Sequence, residues 1–142
     1  MIDSLKAHAV AEAYVEALRA DDEDAWLSLF ADQAVLQDPA DAPALVGKAA
    51  IAGFWERTHA SGVGEPAASN ATAGMKMTPE VIRIVVCADE VLLLFRLVMR
   101  ASDGTGVVLD TCDILGINED GRIRSMKAYW DKSCLRKLEA GR

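Results

Sequence analysis

From Met75 to Trp130 the apolar residues fall on alternate positions. Polar turns interrupt them at Ala88-Asp89-Glu90, Ser102-Asp103-Gly104 and Asn118-Glu119-Asp120-Gly121. A period of two belongs to strands with one buried face, and turns this short join antiparallel neighbours. The second half of the chain therefore predicts a meander of strands. Val91, Leu93, Phe95, Leu97 and Met99 share one face, and Ile82, Ile84 and Val86 alternate with Val81, Arg83 and Val85. In the last strand Met126, Ala128 and Trp130 lie opposite Ser125, Lys127 and Tyr129. The polar tail to Arg142 is expected to fray.

A sheet that is apolar on one side needs cover, and the first 58 residues supply it with a helical period. Over Ser4 to Ala20, the residues Val10, Ala13, Tyr14, Ala17 and Leu18 form one stripe, with Asp3 or Ser4 as cap. Asp21-Asp22-Glu23-Asp24 opens a short second helix whose buried side is Trp26, Leu27, Leu29 and Phe30. Ala34 to Gln37 reads as a brief strand ended by Asp38-Pro39, because proline cannot donate to a ladder and holds its predecessor extended. A loop from Ala40 to Val46 leads to Gly47-Lys48 and a third helix through Ile51, Phe54 and Trp55. The stretch from His59 to Gly74 is expected to be a loop with one edge strand. Helices first and antiparallel strands after them make an α+β fold: a curved antiparallel sheet wrapped by three N-terminal helices into an open cone, with a ligand cavity at its mouth.

With 142 residues, the chain has the size of one domain, read as 1–142. Its formal net charge of −7 and pI near 4.8 argue against nucleic acid and anionic lipid surfaces as partners. The longest apolar run, Val91 to Met99, is broken by Arg96, and no secretory signal opens the sequence; a soluble, cytoplasmic protein is expected. Cys87, Cys112 and Cys134 have no metal-ligand spacing and are read as reduced thiols, Cys112 as space-filling. Two histidines, His8 and His59, are too few for a histidine-based metal site.

Three polar residues interrupt apolar faces. Tyr14 lies on the buried stripe of the first helix, which suits either a core tyrosine or a donor facing a ligand. Asp38 ends a strand, as a turn residue or as an aimed carboxylate. Asp113 shares a face with Val107, Leu109, Thr111 and Leu115, with no cation near it in sequence. It is in a buried ion pair, turned outward by its register, or protonated and a donor. Together they suggest a phenol and two carboxyls in an apolar pocket, Asp38 ionised as a base and Asp113 neutral. That set suits proton abstraction beside a carbonyl, with two donors on the enolate oxygen.

The segments Tyr14-Val15-Glu16-Ala17-Leu18, Leu29-Phe30-Ala31-Asp32, Val35-Leu36-Gln37-Asp38-Pro39 and Gly47 through Ile51 to Phe54 resemble a bacterial ketosteroid isomerase. So does the stretch from Asp113-Ile114 to Gly121-Arg122-Ile123-Arg124-Ser125-Met126-Lys127-Ala128-Tyr129-Trp130. The resemblance spans roughly residues 10–58 and 75–134 in one order. It implies a cone of the nuclear-transport-factor type (a cystatin-like sheet), a homodimer, and isomerisation of a 3-oxo-Δ5-steroid with no cofactor or metal. It also implies Asp38 as the general base, Tyr14 and a protonated Asp113 as the oxyanion hole, and Phe54, Trp55, Met126 and Trp130 around the steroid. Their other reading is plain core. The sequence departs from the family where Trp55 replaces the tyrosine that supports the oxyanion tyrosine, and Leu29-Phe30 offers no phenol. Rival readings are a non-catalytic carrier of flat apolar ligands and a hydratase, epoxide hydrolase or cyclase on the same cone.

Overall fold

The computed structural model describes residues 2–59 and 75–140. The loop expected over 59–74 thus lies outside the described residues, apart from His59, which ends a helix. Helix α1 (Ser4–Ala20) starts at Asp3, whose side chain accepts from the Leu5 N–H at 2.7 Å, and stops at Asp21 in the left-handed region. Its buried face comprises Ala7, Ala11, Tyr14 and Leu18, each three or four residues from the next, together with Val15 and Ala17. Ala13, expected on that face, is exposed. An alanine carries too little hydropathy to mark which of two adjacent stripes packs inward, and the fully buried Ala7 and Ala11 let the helix approach the sheet.

Helix α2 (Glu23–Ser28) is capped by Asp22, which accepts from the Ala25 N–H at 3.0 Å, and it buries Trp26 alone. Phe30, expected in this helix, instead opens strand β1 (Phe30–Gln37), twice the length read from the sequence. The reason is a parallel ladder with β6 in which Phe30 faces Ile123 and Val35 faces Ser125. Strand β2 (Leu45–Val46) pairs with the other edge of β1, within what was expected to be loop. Helix α3 (Lys48–His59) buries Ile51 and Trp55.

Strands β3 (Lys76–Cys87), β4 (Glu90–Arg100), β5 (Gly106–Ile117) and β6 (Ile123–Tyr129) form the expected meander. The sheet order is β2-β1-β6-β5-β4-β3, antiparallel except for the β1–β6 pair, so the curved sheet is mixed rather than purely antiparallel. A bulge between Val81 and Arg83 leaves Ile82 at 53% exposure and separates it from its expected partners Ile84 and Val86. The tail does not fray through residue 138. Asp131 caps a 3-10 turn over Lys132–Cys134, and β7 (Leu135–Leu138) pairs with the first half of β5, beyond the reach of β6. Backbone groups make that ladder while its side chains stay largely exposed, so hydropathy carries no trace of it.

The inner face of the sheet and the three helices enclose the core, in which Trp26, Phe30, Leu36, Ile51, Phe95 and Met126 are almost fully buried. Among the described residues, no helix is long and apolar enough to cross a membrane.

Candidate active site

Asp113 occupies the middle of β5, paired in register with Leu93 on one side and Ala128 on the other. It is 2% exposed on the inner face, and Thr111, two residues earlier on the same face, donates its Oγ1 hydrogen to Asp113 Oδ1 at 3.0 Å. Among the described residues no arginine or lysine bonds to it, and it is buried, so two of the readings open from sequence, an ion pair and an outward register, do not apply. Cys112, its neighbour in sequence, faces the other side of the sheet between Leu94 and Tyr129 and lies outside the site.

Tyr14 reaches the same place from α1. Its hydroxyl is 3.3 Å from Met126 Sδ, a weak acceptor, and close enough to Asp113 for the two groups to couple as they ionise. The sulfur contact is the aligned hydrogen bond; the carboxyl is a neighbour to which the hydroxyl can turn.

Asp38 arrives from the end of β1. The chain after it is tied back to β6 by a hydrogen bond from the Ala40 N–H to the Ala128 carbonyl at 2.7 Å, and the Gln37 amide donates to the Ala42 carbonyl at 3.1 Å. Just beyond β6, Trp130 Nε1 donates to Asp38 Oδ1 at 2.7 Å. The charge of Asp38 is felt at both Tyr14 and Asp113. Sequence positions 14, 38 and 113 therefore converge within one apolar enclosure.

The three groups differ in acidity for stated reasons. Burial holds the Asp113 carboxyl well above the usual carboxylate range, the charge of Asp38 adds to this, and the Thr111 hydrogen bond and then the neighbouring Tyr14 hydroxyl pull it back. Burial also raises Asp38, but the Trp130 N–H stabilises its anion and offsets part of that rise. For Tyr14, burial and then the charges of Asp113 and Asp38 push the phenol well above its ordinary range. The two carboxyls are coupled, and the larger rise belongs to Asp113, so Asp38 is the first of the pair to ionise. A carboxylate beside two neutral O–H donors, in a place shielded from water, can take a proton from carbon while the donors hold the resulting oxyanion.

Of the four residues expected around a ligand, Met126 and Trp130 touch Tyr14 and Asp38, while Phe54 is partly buried against the core. Trp55 sits deeper, its ring centroid 5.0 Å from that of Trp26 and stacked at 3.8 Å on His59. It is Trp26, at 6.3 Å, whose ring stands next to Tyr14. Sequence reasoning placed Thr111 on the right face without giving it a part, although its two-residue spacing from Asp113 was the available signal. A surface cavity of about 420 Å³ opens at the opposite end of β6, between Ile2, Asp89, Ile117 and Arg124, and holds none of the three groups.

The chain is similar in sequence and fold to known proteins. The SnoaL-like domain model matches residues 11–126. The chain is 29% identical over 127 residues to a steroid Δ-isomerase of Nocardioides simplex, covering 89% of this chain and 91% of that protein. Among solved structures, SalBIII, an epoxide hydrolase/cyclase-like enzyme of pyran ring formation in salinomycin, superposes with a TM-score of 0.79 at 19% identity, covering 97% of this chain and 100% of the other. The Δ5-3-ketosteroid isomerase of a Mycobacterium species does so with a TM-score of 0.74 at 18% identity, over 94% of this chain and 98% of the other. Matched over most of its length, the chain belongs to the SnoaL-like domain family.

Proposed function

We propose that the protein is a steroid Δ-isomerase that moves the double bond of a 3-oxo-Δ5-steroid to the Δ4 position. Asp38 takes the proton from carbon 4 and returns it to carbon 6, while Tyr14 and neutral Asp113 donate to the dienolate oxygen. The observation that carries the reading is the pairing of a buried Asp113, with no cation on it among the described residues, and an indole-stabilised Asp38 around one phenol. Thr111 donates to Asp113 Oδ1, which leaves the acid proton on Oδ2, free for a ligand oxygen. Met126, Trp130 and Phe54 flank the flat substrate, with Trp55 as a packing layer behind them. The steroid isomerase relative supports the substrate class.

A homodimer is part of the same proposal. Leu92, Leu94 and Ile114 on the outer face of the sheet are only partly covered, and Val85 and Tyr129 are 40% and 48% exposed there. The cytoplasm is the compartment that keeps its three free thiols reduced. The fold likeness to a cyclase-like enzyme makes ring closure the runner-up.

The test is an ultraviolet assay for the conjugated enone with a Δ5-3-ketosteroid, followed across pH. Turnover is expected with an acid limb above the ordinary aspartate value of 3.8, because burial raises Asp38. Asp38→Asn is expected to lower kcat by about 10²–10⁴-fold. Binding without turnover, seen as quenching of tryptophan fluorescence with no enone, refutes the isomerase and leaves a carrier. An Asp38→Asn variant as fast as wild type removes Asp38 as the base.

A further inference from the structure

Trp26 is the only buried residue of α2, and it lies at the centre of an aromatic cluster. Its ring centroid is 4.7 Å from Phe30, 5.0 Å from Trp55 and 6.3 Å from Tyr14. Apolar packing accounts for the ring but not for the indole N–H, which is buried with no aligned acceptor among the described residues. Buried donors are nearly always satisfied, and one left over calls for a reason. The reason stands beside it. The N–H is near enough to the Tyr14 hydroxyl to make the phenol more acidic, against burial and two carboxyls that make it less so.

We propose that Trp26 is a positioning residue for Tyr14, its N–H coming into line with the phenol oxygen when that oxygen takes on negative charge. This rests on the reading of Tyr14 as an oxyanion donor. In the resting enclosure the Tyr14 proton points to the Met126 sulfur at 3.3 Å, and the neutral oxygen draws the indole only weakly. When the hydroxyl turns to donate to an anionic ligand oxygen, charge flows onto the phenol and the contact with the N–H shortens. Hydrogen bonds of this kind are commonly long before ligand binds. An indole donates and never accepts, so Trp26 cannot compete for the Tyr14 proton; it leaves the phenol one direction in which to give it. A supporting tyrosine has both options. Thus the position that lacks a phenol at Trp55 is served from α2, by a residue that sequence reasoning assigned only to the core.

The experiment replaces Trp26 with β-(3-benzothienyl)alanine, which keeps the fused rings and exchanges the N–H for sulfur. The probe is 4-nitrophenol, whose anion absorbs separately from the neutral form, so that anion stabilisation is read without turnover. Wild type is expected to bind the anion preferentially, with the Trp26 indole proton moving downfield in a nitrogen-15 spectrum on binding. In the isosteric variant the anion is expected to bind about three- to tenfold more weakly, and kcat on the steroid to fall by a similar factor with KM unchanged. Retention of wild-type anion binding together with an unmoved indole proton in wild type overturns the proposal, and so does failure of wild type to bind the anion at all. Loss of anion binding in the variant with no steroid turnover by either protein upholds the role of Trp26 and refutes the isomerase alone.

Discussion

Asp110 and Asp113 stand three residues apart on β5 and ionise in opposite directions. Asp110 is on the outer face, where Arg96 Nε and Nη2 donate to its two oxygens at 2.7 and 3.3 Å; that pair holds its pKa below the usual value. Asp113 is on the inner face with a threonine, a phenol and a methionine around it, and its pKa stands well above. An odd spacing on a strand reverses the face, and the face sets the dielectric and the partners. Residue type alone says nothing about which aspartate can act as an acid at neutral pH.

The largest expected difference between the two is catalytic. Asp113→Leu removes a donor to the oxyanion and should lower kcat in the enone assay by about 10²–10³-fold. Next comes stability against pH. The folded chain keeps a proton on Asp113 that the unfolded chain releases above about 3.8, so Asp113 costs stability progressively as pH rises from there towards its folded pKa. Asp113→Asn keeps the shape and removes the ionisation. It should be the more stable protein at pH 7, by a margin that widens as pH rises above the unfolded value. Urea melts from pH 3 to 8 should show the two proteins converging at the acid end; a constant gap would mean that Asp113 is ionised in the folded state. The smallest effect belongs to Asp110→Asn, which breaks a half-exposed ion pair. Its melting midpoint should barely move and its kcat should match wild type; a rate loss like that of Asp113→Leu would erase the contrast between the faces.

Much of the fold was legible because its causes are local. Asp3 and Asp22 cap the helices that follow them, and the Asp103-Gly104 and Asp120-Gly121 turns link strands adjacent in sequence. The misreadings share a different cause. The parallel pairing of β1 with β6, and of β7 with the free half of β5, joins residues far apart in the chain through backbone groups that every sequence carries. The bulge at Ile82 slips one strand face against the other with no marker in hydropathy. In the site, Tyr14, Asp38 and Asp113 stood out because a polar group among apolar ones is conspicuous. Trp26 did not, since a buried indole resembles ordinary core until its N–H is found without an acceptor.

By itself the sequence determined the order of the three helices and the main strands and the three residues available for proton chemistry, since periodicity, caps and turns act over a few positions. Tertiary structure alone decided that those residues meet, which carboxyl stays dry, and which N–H groups stand beside Asp38 and Tyr14. Desolvation and Coulomb interaction depend on distance through space, and the partners here, such as Asp38 with Trp130, lie 92 residues apart along the chain.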